Sequence, residues 1–348
     1  MNFHLFTAHP SSSKQSFTES LQLQKRLQCD SQDILTSSYY EARKLIESYL
    51  VKKKKYHVCI NDCVVFRDTS KFHYANLSQC PTCQHDRYAD ERVANKTFIY
   101  VPIGPRLARY YGETNLAKIV QSHPGDSYDD TEMGDIHHSP AWRTLYSPAG
   151  YFQGDKMGIS MALEMDGVNP FHNIGVIYSM TPIMLTVLNL PRHMRNSFGN
   201  INLVGIIPGN GRSEATSQDG YVEVLVDELL YLTECTAYSA YHNGHVDVKI
   251  KLLLHVLDYP GLSKLFKQHG SGSVPGCHWC LIRGKRCKHL DKVIYLSNRS
   301  FLQRDDPIRS DNSHFVSKES DHTQRPKVRS IVEEEVYRNA FEHAKNKT

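Results

Sequence analysis

The chain has 348 residues, 40% of them hydrophobic, with 41 Lys and Arg against 37 Asp and Glu for a net charge of +4. That balance excludes a wholly disordered chain, a collagen-like repeat and a disulfide-dense miniprotein, and its mild basic excess permits a nucleic-acid partner without demanding one. The apolar run read over residues 174–190 is free of charge, holds Ser179, Thr181, Pro182 and Asn189 and is short for a spanning helix; the N-terminus lacks the regions of a secretory signal. No membrane partner and an intracellular, reducing setting are expected.

Residues 1–50 read as a flexible arm and a short helix. Residues 1–35 are rich in Ser, Gln and His without a period. Ser37 and Ser38 precede a helical pattern with Leu45, Ile46 and Leu50 on one face. Lys52, Lys53, Lys54 and Lys55 follow, a solvated helix end or a contact patch for phosphate. Residues 51–100 alternate short apolar runs with turn residues and carry four cysteines. Residues 101–156 open with a helical segment around Leu107, Tyr110, Leu116 and Ile119 and continue from 124 as a polar connection.

From 157 to 262 the texture is that of strands, at 157–165, 174–179, 183–190 and 201–207, one of these assignments being left open by the extra apolar run. Asp219 is placed to cap a helix carrying Val222, Leu225, Val226, Leu229 and Leu232. Asn243-Gly244 signals a hairpin, and a long strand over 246–257 ends at Asp258. A helical crossover allows this last strand to lie parallel to the first in one α/β sheet. Asp166 and Asp258 then stand at the carboxyl ends of strands, the edge where open α/β sheets bind ligands. Residues 263–310 hold a further CxxC pair, and 311–348 are a polar linker and a charged helix.

Nine cysteines, an odd number, cannot all pair, and six of them sit in close pairs. Cys59-x3-Cys63 and Cys80-x2-Cys83, 16 residues apart, have the spacing of a zinc ribbon, in which four thiolates close a tetrahedral structural site. The bland alternative is four unrelated buried cysteines; His57, His73 and His85 are spare ligands. Cys277-x2-Cys280 reads as a second zinc knuckle, completed by Cys287 or His289, with a redox dithiol as the rival. Asp166 and Asp258 are either turn starters or metal ligands: phosphoryl transfer on nucleic acid uses carboxylates to hold Mg²⁺ or Mn²⁺. Asp135, His137 and His138 are weaker metal candidates in a polar loop. Lys52–55 and the cluster Arg283, Lys285, Arg286 and Lys288 are the strongest basic groups for DNA.

These segments together resemble a known family. YHVCINDCVVF with CPTCQHDRY, then VPIGPRLARYY and SPAW, resemble the N-terminal part of CACTA (En/Spm-type) transposases. MALEMDGVNPF with YSMTPIMLTVLNLPRHMR resembles the segment holding that family's first catalytic Asp, and LLLHVLDYPG the segment holding the second. GCHWC, KHLDKVIYLSNRSFL and DDPIR follow in the family's order, so the similarity runs from about Tyr39 to about Arg309. The resemblance implies an RNase H-like mixed sheet preceded by a small zinc-ribbon-like module. It implies a DDE-type enzyme, nuclear, that cuts DNA at transposon ends and joins the 3′ hydroxyl to a target. Asp166 and Asp258 would be two of three acids holding Mg²⁺ or Mn²⁺, and zinc would be structural. Self-association is left open. The family's third acid lies well beyond the CxxC segment, whereas the last acidic group here is Glu333-Glu334-Glu335 with Glu342, which reads as a solvated helix face. A truncated, incomplete catalyst is the resulting expectation, with a non-catalytic zinc-containing interaction protein as the alternative.

Overall fold

A computed structural model describes residues 13–27, 36–47, 50–122, 134–171, 178–210, 214–279, 282, 284–287 and 291–295. The chain divides into two compact units, residues 1–52 and 53–348.

The first unit is a pair of helices, α1 (Lys14–Leu27) and α2 (Tyr39–Ile46). The expected loose arm is therefore helical over α1. Ser13 Oγ accepts the Ser16 N–H, a cap overlooked among many serines, and Phe17 and Leu21, one turn apart, are buried with Tyr39 and Ala42. Helix α2 starts after Ser37 and Ser38 as read but ends at Ile46, short of Leu50; Ser38 accepts from Glu41 N–H and the Glu41 carboxylate from Ser37 N–H, a reciprocal cap.

In the second unit, β1 (Lys54–Val58), β2 (Tyr88–Asp90), β3 (Val93–Ala94) and β4 (Lys96–Tyr100) bracket the first four cysteines. Helices α3 (Gly104–Gly112) and α4 (Thr114–Gln121) follow. The stretch read as a plain connection contains a 3₁₀ turn, Ile136–His138, and α5 (Pro140–Tyr146), with Asp135 and Ser139 as their caps and Trp142 buried. Next come β5 (Ile159–Met165), β6 (Met180–Val187), the short α6 (Arg192–Arg195), β7 (Ile201–Pro208) and α7 (Asp219–Tyr231). The hairpin β8 (Glu234–Ser239) and β9 (Gly244–Val256) turns through Asn243 at a positive φ of 50°, as its Asn-Gly signal demands. Helix α8 (Tyr259–Leu265) and the small hairpin β10 (Lys285–Cys287) and β11 (Lys292–Ile294) close the described chain.

Seven strands form one mixed sheet in the order β1-β4-β7-β6-β5-β9-β8. Neighbours are antiparallel except β5 and β9, which run parallel through the α7 crossover. The expected parallel return of the last strand is thus present. Of the strand expected at 174–179, residues 174–177 lie outside the described residues, and the observed strand begins at Met180. Asp219 does not cap α7. It is the helix's first residue, Gln218 holds the cap position, and the Asp219 carboxylate pairs with Lys267 at 2.8 Å, where its charge suits the helix N-terminus.

Alternation along β5 directs Ile159, Met161, Leu163 and Met165 into the main core, which they share with Leu107 of α3 and Tyr221 and Leu225 of α7. Each such side chain contributes about 1.5–3 kcal/mol on burial. Gly205 of β7 is required by contact: a Cβ there would stand 2.6 Å from the Phe98 ring. The outcome is a sheet in which β5 and β9 lie side by side and parallel, with both carboxyl ends at one edge.

Candidate metal centres

The loop between β1 and β4 brings Cys59, Cys63, Cys80 and Cys83 together, their sulfurs all within 4.8 Å of one another. Tetrahedral zinc with Zn–S near 2.3 Å requires S···S of about 3.8 Å, so the four fit the ion with small adjustment. Each pair sits on a tight turn. In the first, Asp62 N–H donates to Cys59 O and Cys59 N–H to Val64 O; in the second, Gln84 N–H donates to Cys80 O and Cys80 N–H to His85 O. Asp62 and Gln84 both take positive φ, near 60°. Cys59 and Cys80 are buried, Cys63 and Cys83 half-buried.

Burial pushes the Cys59 and Cys63 thiols up, and the neighbouring thiols add to the rise. Cys83 also feels burial, but the His85 backbone and the Cys59 and Asn61 side chains outweigh it and bring it down to about 6. One thiolate therefore forms readily, and a divalent cation is what lets the others follow. His57 is not a ligand: its Nδ1 accepts from Arg87 Nε at 2.9 Å. The same guanidinium bonds Ala75 O and Leu77 O and covers the Phe66 ring, so Arg87 braces the loop.

The second constellation is assembled by the sheet. The parallel register ends at Glu164 paired with Val256, and Asp166 and Asp258 each follow that last pair by two residues. The two line one cleft of about 40 Å³ together with Thr181, Glu214, Gln218 and Lys264, room for a small cation and its water. Both aspartates are exposed. Asp258 Oδ1 accepts from Gly261 N–H at 2.7 Å and so caps α8. Glu214 reaches over Gly167, where a Cβ would stand 2.4 Å from its Oε1, and its other oxygen pairs with Lys264 Nζ. Gln218 is buried, and its Oε1 has no hydrogen-bond partner among the described residues. Hard oxygen donors and an acceptor without a donor suit Mg²⁺ or Mn²⁺.

Of the second cysteine group, Cys277 is half-buried, Cys287 lies on β10, and Cys280 and His289 fall outside the described residues. His278 between the cysteines stacks on Tyr259 of α8 at 4.3 Å, joining this segment to the helix that starts at Asp258. Lys54 and Lys55 are exposed on β1, and Arg286 of β10 pairs with Asp291. Arg283 and Lys288, and the glutamates from 333 to 342, lie outside the described residues. The weaker metal candidates are consumed structurally. Asp135 takes two bonds from Arg195, at 2.6 and 2.8 Å, His137 is buried with Nε2 2.8 Å from Leu188 O, and His138 accepts from Gly134 N–H. Sequence reasoning missed Glu214, Gln218 and Lys264, because no local spacing links them to either aspartate.

A profile described as "Transposase family tnp2" matches residues 130–341, more than half of the chain. The chain belongs to this transposase family. The matched span contains β5, β9, the acid cleft and the CxxC segment, whereas the four-cysteine centre precedes it. No curated protein matches the chain. Among the described residues, no helix is long and apolar enough to cross a membrane.

Proposed function

We propose that this transposase-family chain is a DDE-type enzyme of the CACTA (En/Spm) group, acting in the nucleus on DNA at transposon ends. The carrying observation is that Asp166 and Asp258, 92 positions apart, line one cleft at the carboxyl edge of two adjacent parallel strands. The strand order β7-β6-β5-β9, with an antiparallel meander followed by a parallel return after a helix, supports an RNase H-like assignment. Asp166 and Asp258 hold Mg²⁺ or Mn²⁺, with Asp258 oriented by its cap on α8. When bound, the ion supplies an activated oxygen nucleophile and stabilises the leaving oxygen of a phosphodiester. Glu214 adds a third carboxylate to the cleft, and Lys264 balances its charge. Cys59, Cys63, Cys80 and Cys83 hold structural zinc. Exposed Lys53, Lys54 and Lys55 offer contacts to DNA phosphates.

The test is a nicking and strand-transfer assay on the purified chain with transposon-end DNA and Mg²⁺ or Mn²⁺. Cleavage that requires the ion and disappears in Asp166→Asn supports the reading. DNA binding without any metal-dependent cleavage favours a non-catalytic zinc-containing interaction protein instead.

A further inference from the structure

We infer that Asp62, the extra residue in the first cysteine pair, is a positioning residue for the acid cleft, through which the four-cysteine centre holds the cleft wall bearing Glu214 and Gln218. This rests on the reading of the cleft as a divalent-cation site.

The x3 spacing of Cys59 and Cys63 places Asp62 at φ 60°, a left-handed conformation that Asp tolerates better than most residues. Its side chain is fully buried. Oδ1 accepts from Lys96 Nζ at 2.5 Å and from Tyr221 OH at 2.6 Å. Oδ2 accepts from Thr216 N–H at 2.8 Å and from Asn210 Nδ2 at 3.0 Å. Neutralising Lys96 alone needs one such contact. The other three grip the stretch leading into α7 and the first turn of that helix.

Glu214 and Gln218 each lie two residues from Thr216, and Gln218 is three before Tyr221, so one carboxylate fixes the backbone on both sides of the cleft-lining residues. A second strap runs alongside: Arg67 pairs with Glu223 at 3.3 Å and Asp227 at 2.6 Å on α7. The cysteine loop therefore reaches the cleft without touching either aspartate. An ordered wall presents the Glu214 carboxylate and the Gln218 oxygen to a cation. A loosened wall withdraws them, and linkage makes the effect reciprocal between the two metal sites.

The test uses the full chain loaded with zinc. Asp62→Asn is combined with Lys96→Met, so that no buried charge is stranded, and Tyr221→Phe is the milder variant. Mn²⁺ affinity is read from the electron-paramagnetic-resonance signal of the free ion, zinc by elemental analysis, and the wall by hydrogen exchange at residues 214–221. The double variant is expected to keep its zinc, to bind Mn²⁺ about tenfold more weakly and to exchange faster at 214–221, with Tyr221→Phe moving both by about two- to threefold. Unchanged Mn²⁺ affinity or unchanged exchange at 214–221 in a folded, zinc-loaded variant overturns the inference. Should the double variant not fold, Tyr221→Phe decides by the same criteria. Mn²⁺ binding that survives Asp166→Asn counts against the acid-pair reading instead, and exchange at 214–221 still decides whether Asp62 anchors the wall.

Discussion

The four-cysteine cluster and the acid cleft gather groups of like charge in opposite ways. In the first, tight turns within one loop bring four soft donors within 4.8 Å, two of them buried. In the second, exposed carboxylates meet only because two parallel strands end together. A locally built site takes its geometry from a few backbone hydrogen bonds. A site built by a sheet takes its geometry from the entire core behind it, and loses it when register is lost.

Four measurements sharpen this contrast, beginning with the largest effect. Cys80→Ser removes a buried thiol of the four-cysteine cluster, so zinc content is expected to fall by about one per chain, with a loss of several kcal/mol in a denaturant melt. Because β1 and β4 are strands of the main sheet, that loss should also lower the exchange protection of β7; protection unchanged in β7 would mark the cysteine loop as energetically separate. Asp166→Asn should instead leave zinc content and stability nearly untouched, while metal-dependent cleavage drops about a thousandfold, some 4 kcal/mol of barrier.

A smaller effect separates the observed cap made by Asp258 from its proposed hold on a cation. Asn retains a capping oxygen, whereas Ala does not, so Asp258→Ala should be about 1 kcal/mol less stable than Asp258→Asn although both lose the metal. Equal stability of the two would mean that α8 does not depend on its cap.

The smallest effect is a pH baseline from the Asp135–Arg195–His137 cluster, which belongs to neither site. Burial, and then Arg195, hold His137 below its ordinary 6.5, so it folds neutral while the unfolded chain takes up a proton. Its contribution is complete above about 6.5 and is lost as pH falls towards the lower folded value. Burial pushes Asp135 up, but its bonds to Arg195 prevail and hold it below 3.8, so its contribution too is lost on acidification. Unfolding midpoints should therefore fall from pH 7 to 5, and His137→Gln should flatten the upper part of that slope. A slope identical in His137→Gln would place the acid sensitivity elsewhere, in the thiolates for example.

The clustering of Cys59, Cys63, Cys80 and Cys83, the start of α2 after Ser37 and Ser38, the Asn243-Gly244 turn and the parallel return of β9 were legible because each is written in neighbouring residues or in a strand's period. Helix α1 was not: its two buried apolar residues, Phe17 and Leu21, give too short a stripe until Tyr39 and Ala42 cover it. Helix α5 hid among polar residues that turned out to be caps, Asp135 of the 3₁₀ turn and Ser139 of α5, with Asp135 also paired to the buried Arg195. Asp219 looked like a cap by type, yet it stands one residue inside α7, after a stretch whose Thr216 N–H donates to Asp62.

By itself, the sequence determined which atoms are soft donors and which are hard, and that two aspartates stand at strand ends. Those properties are carried by residue type and by spacing within a dozen positions or so. Only the tertiary structure decided that Glu214, Gln218 and Lys264 share a cleft with those aspartates, and that Asp62 turns from a loop residue into a buried anchor accepting from Lys96, Asn210, Thr216 and Tyr221. The physical reason is range. A turn is closed by hydrogen bonds between near neighbours, whereas these contacts join residues 34 to 159 positions apart, and their partners are chosen by the register of the sheet and the packing of α7 against it.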